Sequence, residues 1–407
     1  MSRRQAVSRL VVHDDAVRAN TAHFAELTGG RLMAVLKADA FGHGAVARSV
    51  LASGARAVGV TSIDEALALR DDGIEAPLLS WLNTPDADFE AAVRADVDLA
   101  AASAELLHAI VRAAGRAGRR ARVHLHVDVG MSRDGCPPSE WAALCALARE
   151  HEALGGLRVV GVMGHLSCAD RPDHPQNTRE RLVFDAAVRT ARRRGLSPAV
   201  IHLAATAATV TGQGAGAGPG ACPGAGADDS GRRDPARRLH RIGAGLFGID
   251  PSGITDALRP ALSLTTAVVD SRRVGPGAGV GYGLEHVVPR GTNLALLPLG
   301  YGDGLPRAAS HRAEVVVRGR RRPLVGLFSM DTVVVDTGDD RVSPGERVVV
   351  FGQGRTEPTI SDWARWADTI PHEIVTRIGC RVARVHRTST LSDPRSDPST
   401  CQEADLD

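Results

Sequence analysis

Over the first 250 residues, apolar positions fall into two alternating rhythms. Short apolar runs at 32–36, 57–60, 77–82, 97–101, 122–128, 158–163, 199–204 and 239–247 read as strands. Between most of them lie longer stretches, at 15–28, 63–71, 103–117, 139–153 and 178–194, with apolar residues at helical spacing. Leu106, Leu107, Ile110 and Val111 in 103–117 show the pattern that places one apolar face on a core. Asp64 and Ser103 stand where N-terminal caps belong, and Gly118 and Gly195 where helices stop. Eight strand-then-helix units of this size predict an α/β chain whose segment 8–250 is a (β/α)8 TIM barrel. A doubly wound sheet is the competing architecture, but no Gly-x-Gly-x-x-Gly follows the first strand.

Beyond about residue 252 the rhythm changes. Runs at 261–269, 293–299, 313–317, 331–336 and 346–351 are β-rich and separated by turns such as Gly275-Pro276-Gly277 and Pro344-Gly345. They predict a mostly antiparallel β domain over 251–387, interrupted by one helix near 361–369. The tract 212–234 is rich in Gly, Ala and Pro, with no strand entering it directly and no capped helix leaving it. It reads as a flexible insertion, not a phosphate cradle. The polar segment 388–407 is expected to be disordered.

A formal charge of +2, 43% hydrophobic and 24% charged residues describe an ordinary globular protein. Nothing in that balance calls for nucleic acid or an anionic membrane as partner. No signal peptide or membrane-length apolar run stands out, and a cytoplasmic location is expected. Six cysteines, at 136, 145, 168, 222, 380 and 401, include no CxxC pair, so neither a disulfide frame nor a metal site is expected.

Candidate chemistry sharpens the picture. Lys37 is the only lysine; the other 48 of the 49 basic residues are arginine. Arginine cannot form an imine, whereas a desolvated lysine can lose its proton and attack a carbonyl. Lys37 follows the first strand at its C-terminal end, the rim where barrel enzymes gather reactive groups. Arg133, His165, Thr206 and Arg241 follow later strands in the same way. The two tyrosines, Tyr282 and Tyr301, sit in glycine-rich turns, where a ligand or another backbone can approach closely.

Eight segments in order carry a resemblance: AVLKADAFGHG at 34–44, HVDVGMSRDG at 126–135, GVMGHLSCAD at 161–170, HLAATAA at 202–208, RIGAGLFGIDP at 241–251, GVGYG at 279–283, LPLGYGDGLPR at 297–307 and VGLFSMDTVVVD at 325–336. Together they resemble the bacterial alanine racemase family of fold-type III pyridoxal-phosphate enzymes. The resemblance implies a homodimer with active sites shared between subunits, acting on a small amino acid. It implies interconversion of L- and D-alanine, supplying D-alanine for peptidoglycan. Lys37 would hold pyridoxal 5'-phosphate and act as one base, with Tyr282 of the partner subunit as the other. His165, Thr206, Arg241, Gly243 and Ala244 would complete the cofactor site. Arg133 and the backbone N–H of Met330 would bind the substrate carboxylate, and Tyr301 would narrow the entrance.

Several positions depart from the family pattern. Phe41 replaces a phosphate-binding tyrosine, and Ala205-Thr206 an Asn-Ser pair. On a loose alignment, Cys380 replaces another phosphate-contacting tyrosine. His126 stands where many members carry a carbamylated lysine that steadies the substrate-binding arginine. A same-family racemase with shifted specificity, for serine or another amino acid, and an inactive pyridoxal-phosphate-binding paralogue therefore stand as alternatives.

Overall fold

The computed structural model describes residues 7–213 and 237–387. The tail at 388–407 and the tract 212–234 past residue 213 lie outside them. Two large sheets organise the described residues. The first is parallel, with strands Leu32–Val35, Ala57–Val60, Leu78–Ser80, Val97–Ala101, Ala121–His126, Leu157–Met163 and Val200–His202 in neighbour order. Two short pieces share the eighth position: Arg237–Arg238 pairs with the seventh strand and His240–Ile242 with the first. The sheet thereby closes into the expected barrel. The predicted run at 239–247 is strand only to Ile242 and then tightens into a 3-10 turn, Ala244–Phe247.

Leu32–Val35, Ala57–Val60 and Val97–Ala101 are buried at every position, as strands covered on both faces must be. Helices cover the outside. Met33, Ala57, Leu79, Ala100 and Met163 cluster apart from the main core. Helix Ala104–Ala117 begins at Ser103, whose hydroxyl accepts the Leu106 N–H at 3.2 Å, and ends at Gly118 with φ 67. Such a cap contributes about 1 kcal/mol. Helix Ile63–Asp71 is capped by Ser62 instead of Asp64. Ser62 and Glu65 satisfy each other's backbone donors reciprocally, which a carboxylate at position 64 is two residues too late to do.

The second sheet runs Asp270–Val274, Thr292–Leu297, Val333–Gly338, Arg320–Val325, Glu314–Val317, Arg347–Phe351, Leu262–Ala267, Arg9–His13 and Ala383–Arg387 in neighbour order. All neighbours are antiparallel except the last pair. Arg9–His13 corrects the linear division of the chain: it falls in the segment assigned to the barrel, yet it pairs with Leu262–Ala267 and Ala383–Arg387. The helix expected near 361–369 is Ile360–Trp366, and an unanticipated one, Pro371–Arg377, follows it. That second helix presses on the segment after Lys37: a Cβ on Gly42 would lie 2.6 Å from the Val375 carbonyl oxygen. Arg384 Nε donates to the Gly42 carbonyl at 2.9 Å from the same side. Among the described residues no helix is long and apolar enough to cross a membrane.

Candidate active site

Directly after Lys37 the backbone turns left-handed. Ala38, Asp39, Ala40 and Phe41 have φ of 54, 53, 51 and 55. Each L-residue in that conformation costs about 1–2 kcal/mol, so the turn must be held from outside. The Ala40 N–H donates to the Leu36 carbonyl at 2.9 Å, and the Gly44 N–H to that of Asp39 at 2.9 Å. Glu65 Oε1 accepts the Ala38 N–H at 2.6 Å. His43 is fully buried, 4.0 Å from the Phe247 ring in a stacked pair. Its Nδ1 lies 2.9 Å from the Ala40 carbonyl oxygen and 3.0 Å from that of Phe41. Both partners only accept, so Nδ1 carries the proton. Burial pushes the His43 pKa down to about 3, which keeps the ring neutral.

The turn opens on a cavity of about 840 Å³. Lys37, Arg133, His165, Thr206, Arg241, Gly243 and Ala244 all line it, with Phe41, His126 and Ala205. Burial lowers the Lys37 pKa; Arg133 and Arg241 add to the effect, and Glu65 opposes it. The fraction of neutral, nucleophilic amine rises accordingly.

Arg241 is buried beside that amine. It donates to His202 Nδ1 at 2.8 Å, to the carbonyls of His202 at 2.7 Å and Gly164 at 2.6 Å, and to His165 Nδ1 at 3.2 Å. Burial, with Arg133 adding repulsion, brings its pKa down to about 10, still cationic at neutral pH. A guanidinium has no acceptor, so His165 Nδ1 must accept and Nε2 must carry the hydrogen. Burial, then Arg241, Arg133 and Lys37, push the His165 pKa down to about 3. Arg133 is exposed and makes no hydrogen bond or ion pair with other described residues, which leaves its fork free for an anion.

On the same rim, the Thr206 hydroxyl accepts the N–H groups of Gly243 and Gly245, each at 3.3 Å. A Cβ on Gly243 would lie 2.8 Å from Phe41 Cζ, and both residues line the cavity. Backbone therefore approaches the cavity where a side chain has no room. An amine, a buried cation, a hydroxyl and close-lying glycine backbone, in a cavity of this size, suit a flat aldehyde bearing a phosphate.

Three expected site residues are not in this cavity. Tyr282, Met330 and Tyr301 are 70%, 53% and 43% exposed on the second domain. Their turns adjoin: the Tyr301 N–H donates to the Ser329 carbonyl at 3.1 Å and the Gly302 N–H to that of Met330 at 2.8 Å. Gly281, beside Tyr282, packs on Leu327. Cys380 is exposed and does not line the cavity. The second domain contributes Ile370 and His372 to the wall instead, and His372 Nδ1 is buried without a partner. His126 places Nδ1 3.3 Å from Asp134 Oδ2, and that contact lowers the Asp134 pKa. Of the residues the sequence reading missed, Glu65 was within reach through Ser62-x-x-Glu65. His43 lay inside the 34–44 motif without a role assigned to it, and His372 had no local signal beyond its residue type.

Comparison with known proteins bears on the same residues. The model of the alanine racemase N-terminal domain matches residues 12–217, and that of the alanine racemase C-terminal domain residues 261–386. An alanine racemase of Thermobifida fusca is 45% identical over 378 residues, 91% of this chain and 96% of that protein. The crystal structure of alanine racemase from D-cycloserine-producing Streptomyces lavendulae aligns with a TM-score of 0.86 at 36% identity, over 95% of this chain and 98% of that one. The alanine racemase of Streptomyces coelicolor A3(2) aligns with a TM-score of 0.85 at 38% identity, over 94% and 98%.

Proposed function

The chain belongs to the alanine racemase family, and on that premise we propose how its own residues carry out the pyridoxal-phosphate-dependent interconversion of L- and D-alanine. When bound, pyridoxal phosphate supplies a carbonyl for an amine and a conjugated ring that draws electron density from the substrate α-carbon. Lys37 holds the cofactor, and its amine takes or returns the α-proton on one face. Inversion needs a second base on the opposite face. Tyr282 of the partner subunit fills that role. Its phenol ordinarily titrates near ~10 and must be helped to ionise. His165 helps by donating its Nε2–H, with the Arg241 charge behind it.

Arg133 grips the substrate carboxylate, joined by the backbone N–H of Met330 of the partner subunit. Thr206 and the backbone N–H groups of Gly243 and Ala244 hold the phosphate. Arg241 would face the ring nitrogen of bound pyridoxal phosphate, and because it keeps its own proton it would supply a cation there and no acceptor for a ring proton. Tyr301 of the partner subunit narrows the entrance. Support for a head-to-tail homodimer comes from the exposure of Tyr282, Met330 and Tyr301 on adjoining turns away from their own chain's cavity. The product, D-alanine, serves peptidoglycan, and the cytoplasm is the compartment we assign.

One observation carries the reading: the single lysine lines the cavity beside a buried arginine, with its pKa lowered. Borohydride reduction of the cofactor-loaded protein, followed by peptide mapping, tests it. Reduction should abolish the imine absorbance and leave the label on the peptide containing Lys37, together with loss of alanine racemisation. Retention of full activity after reduction, or unlabelled Lys37, would overturn the assignment.

A further inference from the structure

We propose that Asp98, His124 and His202 form a hydrogen-bonded relay through the barrel interior that fixes the orientation of Arg241 and supplies its remote counter-charge. The relay deepens the reading above, which it needs only for what Arg241 faces.

The links are short and continuous. Arg241 donates to His202 Nδ1 at 2.8 Å, His202 Nε2 lies 2.8 Å from His124 Nδ1, and His124 Nε2 lies 3.1 Å from Asp98 Oδ2. Arg122 anchors the far end with bonds to both Asp98 oxygens, at 2.5 and 3.2 Å. Arg241, His202, His124 and Asp98 are 5%, 1%, 2% and 6% exposed, so water does not complete their bonding.

Only one proton arrangement satisfies every link. Arginine donates and cannot accept. His202 Nδ1 must therefore accept, which places its hydrogen on Nε2. That hydrogen goes to His124 Nδ1, which places the His124 hydrogen on Nε2, directed at the Asp98 carboxylate. Every donor points the same way, from a buried cation toward a buried anion. The remaining partners of Arg241 are carbonyl oxygens and His165 Nδ1, none of them a formal anion. A buried cation without a carboxylate in contact is costly, and aligned dipoles ending in one offset part of that cost.

The barrel is built around this chain. Strand alternation in Ala121–His126 puts Arg122, His124 and His126 on one face. The pairing of that strand with Leu157–Met163 shifts register between Val123 and His124. A Cβ on Gly161 would sit 2.1 Å from His124 Nδ1, so only glycine there admits the imidazole. No apolar filling of this interior would need either feature.

The test begins with nitrogen NMR of histidine-labelled full-length protein, with and without pyridoxal phosphate. His124 and His202 should both be neutral, protonated at Nε2 and bare at Nδ1. A ring protonated at Nδ1, or doubly protonated, overturns the relay whatever any variant does, and this readout does not depend on where borohydride labels the chain. Asp98→Asn keeps the shape and removes the charge. It should lower kcat on the order of tenfold with little change in KM, as loss of one charge-assisted bond would, and alter the absorbance of the bound cofactor. Arg122→Gln, at the half-exposed end, should act in the same direction with smaller amplitude and covers the case in which Asp98→Asn does not fold. Wild-type kcat and spectrum in either folded variant would overturn the proposal.

Discussion

The Ala38 N–H and Glu65 Oε1 lie 2.6 Å apart, so the residue after the only lysine is tied to the cap of the next barrel helix. The other oxygen of Glu65 accepts the N–H groups of Thr61 at 2.8 Å and Ser62 at 3.3 Å. One carboxylate thus starts a helix, steadies a left-handed turn and opposes the downward shift of the Lys37 pKa.

Glu65→Gln should disturb all three roles. An amide cannot accept at both ends, so one backbone donor loses its partner at a cost of about 1–3 kcal/mol. Thermal unfolding should show the loss. Removing the anion should also lower the Lys37 pKa further, since Glu65 favours the ammonium form. Amine-specific labelling of the cofactor-free protein across pH reads that shift directly; an unchanged profile would refute the electrostatic role.

Acid should destabilise the fold through histidines that are buried or half-buried and uncharged. His43 and His165 are held near a pKa of about 3 and His240 near about 4, each depressed mainly by burial from 6.5. Below about pH 6.5 the unfolded chain takes up protons that the folded chain refuses. The stability present above that value is therefore lost as pH falls toward the folded values, by roughly 1.4 kcal/mol per pH unit for each group. Urea unfolding between neutral and mildly acidic pH measures the slope. His43→Asn should be less stable at neutral pH by about 1–3 kcal/mol, yet show a shallower acid slope.

Phe41 packs its ring 5.3 Å from Phe247 and turns Cζ toward Gly243 at the cavity floor. Phe41→Tyr adds a hydroxyl at that edge. One recovered neutral hydrogen bond, about 0.5–1.5 kcal/mol, should tighten pyridoxal phosphate binding roughly two- to tenfold. Equilibrium titration of the cofactor-free protein would register the gain, and weaker binding would show that the floor has no room for the oxygen.

The proposed sharing of active sites between subunits makes a prediction that a self-contained subunit does not. Lys37→Ala and Tyr282→Phe should each abolish racemisation alone. Refolded together in equal amounts, they should recover about a quarter of wild-type activity, because random pairing gives half mixed dimers with one intact site each. No recovery in verified mixed dimers would exclude the shared site.

Lys37, Arg133, His165, Thr206 and Arg241 were legible from the chain as cavity-lining residues because the first four follow strand-like runs and Arg241 lies in one, and a parallel barrel carries all its strand ends to one rim. Periodicity is local, so it survives being read in one dimension. Other decisions depended on partners hundreds of residues away. Arg9–His13 joins the second sheet because Leu262–Ala267 and Ala383–Arg387 offer it edges, which no property of five residues announces. His372 enters the cavity, and Cys380 stays outside, through the placement of helix Pro371–Arg377 against the turn after Lys37. The line from Asp98 through His124 and His202 to Arg241 crosses strands distant in sequence. Alternation alone determined which face each residue takes; barrel closure decided which residues meet inside it, because contact across the interior depends on the register of every strand between them.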